Sequence, residues 1–293
     1  MTKINFLSPY FSNRIWYVLL LSLIYIFMSG CTSLSSLLFY PKKNYYYTPE
    51  KLGLSAERIS ITTSDGELLA NWLLKSPIEP KGTILFLHGN GENISTHIRS
   101  VAWLPQQGYE VFLLDYRGYG ESTGVSTLPS ALSDIQDAHR WLSDSLKSTQ
   151  SKTPLFIFGQ SLGGALAITY TANYQQKLRK IDALITESAP ASWPQIAREA
   201  MRSHWLTWLL QIPASLMPGE YDPEDQIAKI TNIPMLLMHS QEDTVVGFHH
   251  GEQIFEKAND SAIWLETTGG HIAGLNNKNI RKSFLAFLAS TQN

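Results

Sequence analysis

The chain has 293 residues, of which 44% are hydrophobic, 11% aromatic and 16% charged, with 23 basic against 25 acidic residues and a net charge of −2. That is apolar enough to bury the core of one large domain or two small ones, and it excludes disorder over most of the length. The balanced charge leaves no basic footprint for nucleic acid. A single cysteine excludes an internal disulfide framework and a cysteine-rich zinc site.

Residues 1–30 hold Lys3 and Arg14 and no acidic residue. Ile15 to Met28 form a fourteen-residue run in which only Ser22 is polar. As a helix it spans roughly 21 Å, short of the ~30 Å hydrocarbon core of a bilayer. A basic start, a short apolar run and small residues at Ser29 and Gly30 make up a signal-peptide pattern. Met28-Ser29-Gly30-Cys31 resembles a bacterial lipobox, with Met28 where leucine is most common, which implies lipidation of Cys31 and a mature N-terminus there. The alternative is an uncleaved anchor helix extended through Leu34–Phe39. Both readings attach the protein to a membrane. In the lipoprotein reading, Thr32 is not the aspartate linked to inner-membrane retention, so export to the outer membrane or the periplasmic face is expected. Loss of residues 1–30 leaves 21 basic and 25 acidic residues.

Residues 31–50 read as a tether that docks onto the domain formed by 51–293. Arg58–Thr63 and Leu68–Lys75 flank Asp65-Gly66, a hairpin signal. Continuous apolar runs follow at Thr83–Leu87, Val111–Leu114, Leu155–Phe158, Ala183–Ile185, Met235–Met238 and Ala262–Leu265. Such runs suit strands covered on both faces in a parallel sheet. Leu128, Ala131, Leu132, Ile135, Ala138, Trp141 and Leu142 fall at helical spacing within Leu128–Leu146, and Ser283–Ala289 supplies a last helix. The alternation predicts an α/β, doubly wound fold, whose chemistry lies just beyond the carboxyl ends of the strands.

Gly159-Gln160-Ser161-Leu162-Gly163-Gly164 follows one apolar run and precedes the helical stretch Ala165–Tyr174. A G-x-S-x-G sequence in a strand–turn–helix setting exposes its serine at the head of a helix, whose amides favour developing negative charge. A serine hydroxyl needs a base. Asp243 and His271 lie just past two later runs, 82 and then 28 residues on, and suit the acid that orients a histidine and the histidine that moves the proton. Glu242, Glu187, Asp222 and Asp225 compete for the acid. His88, His97, His139, His204, His239, His249 and His250 compete for the base. His249 and His250 begin a helix and read as surface or packing residues. They lack a carboxylate at helical spacing that would make a metal site of them. The oxyanion donors expected are the backbone N–H groups of Leu162 and Asn90, the latter in the loop His88-Gly89-Asn90-Gly91, with His88 a brace for that loop.

With HGN in this loop, a DYRGYGxSxG segment from Asp115 to Gly124 and GQSLGG at the turn, residues 55–290 resemble the α/β hydrolases of the serine-aminopeptidase-like and acylglycerol-lipase-like branch. The resemblance implies a Ser161–His271–Asp243 triad, and the serine sets the chain apart from dehalogenases and epoxide hydrolases of this fold, which carry aspartate there. It assigns DYRGYG a structural role and places a cap over the site at about 188–228. There, Ser192–Met217 carries Trp193, Met201, Trp205, Trp208, Leu209, Leu210, Ile212, Leu216 and Met217, an apolar lid or ordinary packing against the body. The expectation is a membrane-tethered serine hydrolase of carboxylic esters or related acyl bonds, with no metal or organic cofactor. A peptidase, amidase or acyltransferase using the same residues, and a non-catalytic binding protein, are the alternatives.

Overall fold

The computed structural model describes residues 17, 36, 38–174, 178, 180–202 and 219–291. Cys31, the stretch read as a signal peptide apart from Tyr17, and cap residues 203–218 with Trp205, Trp208, Leu209, Leu210, Ile212, Leu216 and Met217 lie outside them. Among the described residues no helix is long and apolar enough to cross a membrane.

In chain order the strands are β1 (Tyr40–Pro41), β2 (Ala56–Thr62), β3 (Leu68–Leu74), β4 (Gly82–Leu87), β5 (Gly91–Glu92), β6 (Tyr109–Leu114), β7 (Leu155–Gln160), β8 (Ala183–Glu187), β9 (Met235–Ser240) and β10 (Ala262–Thr267). The helices are α1 (Ile94–Val101), α2 (Leu128–Ser148), α3 (Leu162–Tyr174), α4 (Trp193–Arg202), α5 (Pro223–Ile227), α6 (Phe248–Lys257) and α7 (Lys278–Ser290). Eight strands form one sheet in the order β10-β9-β8-β7-β4-β6-β3-β2. The hairpin β2–β3 and the β3–β6 pairing are antiparallel, and the remaining pairs are parallel. β1 and β5 make a separate two-residue parallel ladder.

Side-chain alternation divides the core. Leu85, Leu87, Phe112, Leu114 and Ile157 pack with Leu132, Ile135 and Leu166 of α2 and α3. Their neighbours Ile84, Phe86, Val111, Leu113, Phe156 and Phe158 pack with Ile98 of α1 and Phe284 and Leu288 of α7. Burial on both faces explains why the central strands read as unbroken apolar runs. β10 departs from that expectation. It is the sheet edge, and Ile263 is half exposed, so its apolar run is not covered on both sides.

Local chemistry sets the helix starts. Asn93 caps α1 by accepting the Ser95 N–H, and Thr127 and Ser130 cap α2 reciprocally, each side chain bonding the other's backbone N–H. Arg117, in the DYRGYG segment, donates to Asp65 in the hairpin turn and to Asp134 of α2, both at 2.7 Å. The segment thus ties the antiparallel edge to the helical layer through a planar guanidinium fork.

Candidate active site

Ser161 sits between β7 and α3 with φ +54°, a left-handed conformation costly for a residue with a Cβ. Two features hold it there. Its N–H donates to the Glu187 carbonyl at 2.8 Å. Gly163 in the first turn of α3 lets the helix press on the strand beside it, because a Cβ there would stand 2.1 Å from the Leu87 carbonyl oxygen. The close approach puts the helix N-terminus beside the loop that follows β4.

Asp243 lies just past β9 and His271 just past β10. The His271 Nδ1 and Asp243 Oδ2 are 2.8 Å apart. Oδ1 of the same carboxylate accepts the N–H groups of Val245 at 2.9 Å and Val246 at 3.0 Å. Burial alone would raise the Asp243 pKa, but the His271 contact and these donors outweigh it and lower it to about 2. An ionised carboxylate only accepts, so Nδ1 of His271 is the protonated, donating nitrogen, and in the neutral ring the lone pair is at Nε2.

The other acids considered have different partners. Glu187 accepts from Gln160 Nε2 at 2.6 Å and from the Gly274 N–H at 2.8 Å. Glu242 accepts the Gly269 N–H. Asp222 accepts the Trp193 N–H, and Asp225 pairs with Lys257. Among the described histidines, His239 bonds the Val246 carbonyl and stands 3.6 Å from Asp243, while His139 meets the Tyr170 hydroxyl. His204 lies outside the described residues.

In the loop after β4, His88 is wholly buried between Tyr116, Tyr119 and His97. Burial lowers its pKa to about 4, which leaves the ring uncharged at neutral pH, and burial raises that of Asp115, 3.3 Å away, well above the usual carboxylate range. His88 Nδ1 meets the Gly89 carbonyl at 2.7 Å. Among the described residues no hydrogen bond engages the N–H of Asn90 or Leu162.

His249 and His250, set aside as surface or packing residues, have a partner that sequence spacing did not show. Glu199 of α4, fifty residues away, meets His249 Nε2 at 3.1 Å and His250 Nε2 at 3.0 Å. The trio could hold a metal by proximity. However, the Ala191 N–H donates to His250 Nδ1 at 3.1 Å, so Nε2 of that ring holds the proton and donates to Glu199. The arrangement ties α4, the start of the expected cap, to α6 of the body.

Two residues near the site carried no assigned part in it from sequence. Glu187 links the serine turn to the histidine loop, and its only signal was a carboxylate two residues past an apolar run. Tyr119 donates its hydroxyl to the Asn90 carbonyl at 2.6 Å and lay inside the DYRGYG segment.

Sheet order, the strained serine turn and the pair at the next strand ends define an α/β hydrolase. The chain belongs to the serine aminopeptidase S33 family of hydrolases, whose model matches residues 78–229. It is 31% identical over 263 residues to the uncharacterized protein YfhR of Escherichia coli O157:H7, covering 85% of this chain and 87% of that one. It is 29% identical over 204 residues to the lysophosphatidylserine lipase ABHD12 of Danio rerio, covering 66% of this chain and 51% of the lipase. A solved esterase of Pyrococcus furiosus matches the fold with a TM-score of 0.72 and 20% identity, over 87% of this chain and 99% of the esterase.

Proposed function

We propose that the protein is a membrane-tethered serine hydrolase of carboxylic esters or related acyl bonds. The observation that carries this reading is the 2.8 Å contact of His271 with Asp243 at the strand ends that also present Ser161. In the first step Ser161 Oγ attacks the acyl carbon while its proton passes to His271 Nε2. Asp243 stabilises the resulting imidazolium. The oxyanion is held by the N–H groups of Asn90 and Leu162. Its collapse expels the alcohol, which takes the proton from His271 and leaves an acyl-enzyme. Water, deprotonated by His271, then attacks the ester carbonyl, releasing the carboxylic acid and returning the proton to Ser161. These steps need no cofactor. The lipase among the similar proteins supports an ester as substrate, and the family's description as serine aminopeptidases keeps an amide as the second reading.

A fluorophosphonate probe tests the nucleophile: wild type labels and Ser161→Ala does not. Turnover of p-nitrophenyl esters against aminoacyl amides tests the bond, and hydrolysis of amides alone would sink the ester reading.

The tether is the apolar run Ile15–Met28 with Cys31, supported by the signal-peptide and lipobox patterns. Fatty-acid labelling that disappears in Cys31→Ala supports lipidation. Equal labelling of the two removes it.

A further inference from the structure

The Asn90 N–H has to point at a charge that exists only transiently, so the atoms around it must fix its direction in advance. In a trans peptide the N–H points opposite to the C=O of the same plane. For the Gly89–Asn90 peptide, that carbonyl is drawn toward the buried His88 ring at 2.7 Å.

Two further groups hold the far side of Asn90. The Tyr119 hydroxyl donates to the Asn90 carbonyl at 2.6 Å, and the Tyr40 N–H donates to Asn90 Oδ1 at 2.9 Å. The Tyr40 contact comes from fifty residues upstream, out of the stretch that leads away from Cys31. Residues 40–44 are fastened to the body at several points. Lys42 N–H donates to the Glu92 carbonyl, and the Asn93 side chain donates to the carbonyls of Lys42 and Asn44, both at 2.8 Å. The Gly120 N–H donates to the Lys42 carbonyl, and the Lys43 ammonium to that of Ser122. Phe39 is buried, its ring edge-on to Tyr119.

We infer that the Tyr119 hydroxyl and the backbone of residues 39–44 are positioning groups for the Asn90 oxyanion donor, so that the chain emerging from the anchor completes the active site. The inference rests on the proposed serine mechanism. It implies that the attachment segment and the reaction centre are one mechanical unit. From Cys31 to Phe39 the extended chain reaches at most about 29 Å, so a lipid on Cys31 would hold this loop close to the bilayer.

The test compares full-length Tyr119→Phe and Tyr40→Pro with wild type on a p-nitrophenyl ester. Tyr119→Phe keeps the buried ring and removes one donor. Tyr40→Pro removes the backbone N–H that bonds Asn90, and the ring lost with it belongs to a residue that is 64% exposed. Both are expected to lower kcat by about 10- to 100-fold, with KM within about twofold and the apparent pKa of kcat/KM unmoved, because the His271–Asp243 pair is untouched. Folding of each variant is checked by its thermal midpoint. Should Tyr119→Phe fail to fold, Tyr40→Pro carries the test. A folded variant with kcat within twofold of wild type, or a loss residing wholly in KM, overturns the inference. Ser161→Ala run alongside separates the two levels: if it retains turnover, the serine mechanism itself fails.

Discussion

Glu187 and Gln160 meet beneath the serine, carboxylate to amide at 2.6 Å, with the Glu187 carbonyl taking the Ser161 N–H and its second carboxylate oxygen taking the Gly274 N–H. One fully buried residue therefore bonds both the turn that carries Ser161 and the loop that carries His271. Burial raises its pKa against the pull of these donors. Replacing Glu187 by Ala leaves a buried amide and a buried N–H unpaired. We expect a loss of about 3 kcal/mol in urea unfolding, and a smaller loss for Glu187→Gln, which keeps an acceptor. Equal stability of the alanine variant and wild type would show that the bridge holds nothing.

Asp243→Asn keeps the shape of the acid but can donate a proton to the ring, favouring the wrong histidine tautomer. On a p-nitrophenyl ester kcat should fall about 10³- to 10⁴-fold with KM little changed. A drop below tenfold would mean that another acid orients His271.

The same residue sets an acid limit. The folded pKa of Asp243 is lowered from 3.8 to about 2, so its stabilisation is complete above the unfolded value and is lost as pH falls from there through the folded value. Between pH 5 and pH 3, wild type should lose about 1 kcal/mol more stability than Asp243→Asn. Urea unfolding of both proteins at each pH measures the difference, and parallel losses would contradict a depressed carboxyl.

Gly163→Ala would put a methyl 2.1 Å from the Leu87 carbonyl oxygen, a backbone atom with little freedom to yield. The turn must shift, carrying Ser161 away from His271. We expect at least a 100-fold loss of fluorophosphonate labelling rate together with a lowered thermal midpoint. A variant that labels at the wild-type rate would show that helix and strand have slack here.

Much of this was legible in the chain. The apolar runs located the central strands because a sheet covered on both faces needs apolar residues at consecutive positions. The runs for β4 and β6 end with their strands, but the later ones stop short of theirs. β7 continues through Gly159 and Gln160, β8 through Thr186 and Glu187, and β9 through His239 and Ser240. Those polar residues are buried at the carboxyl ends, where the site is assembled, so the hydrophobic signal ends where the functional one starts. β10 was misjudged because an edge strand and a central one can share the same composition.

The amino-acid sequence by itself determined the fold class, the strained serine turn and the choice of Asp243 and His271 as its expected partners, because glycine spacing and strand periodicity are local properties of the chain. Only the tertiary structure decided what surrounds them. That Glu187 spans two loops, that Glu199 reaches two histidines fifty residues away, and that the Tyr40 N–H meets the Asn90 side chain all depend on which strand ends and loops lie side by side. Sheet order and backbone direction settle that juxtaposition, and no spacing along the chain records it.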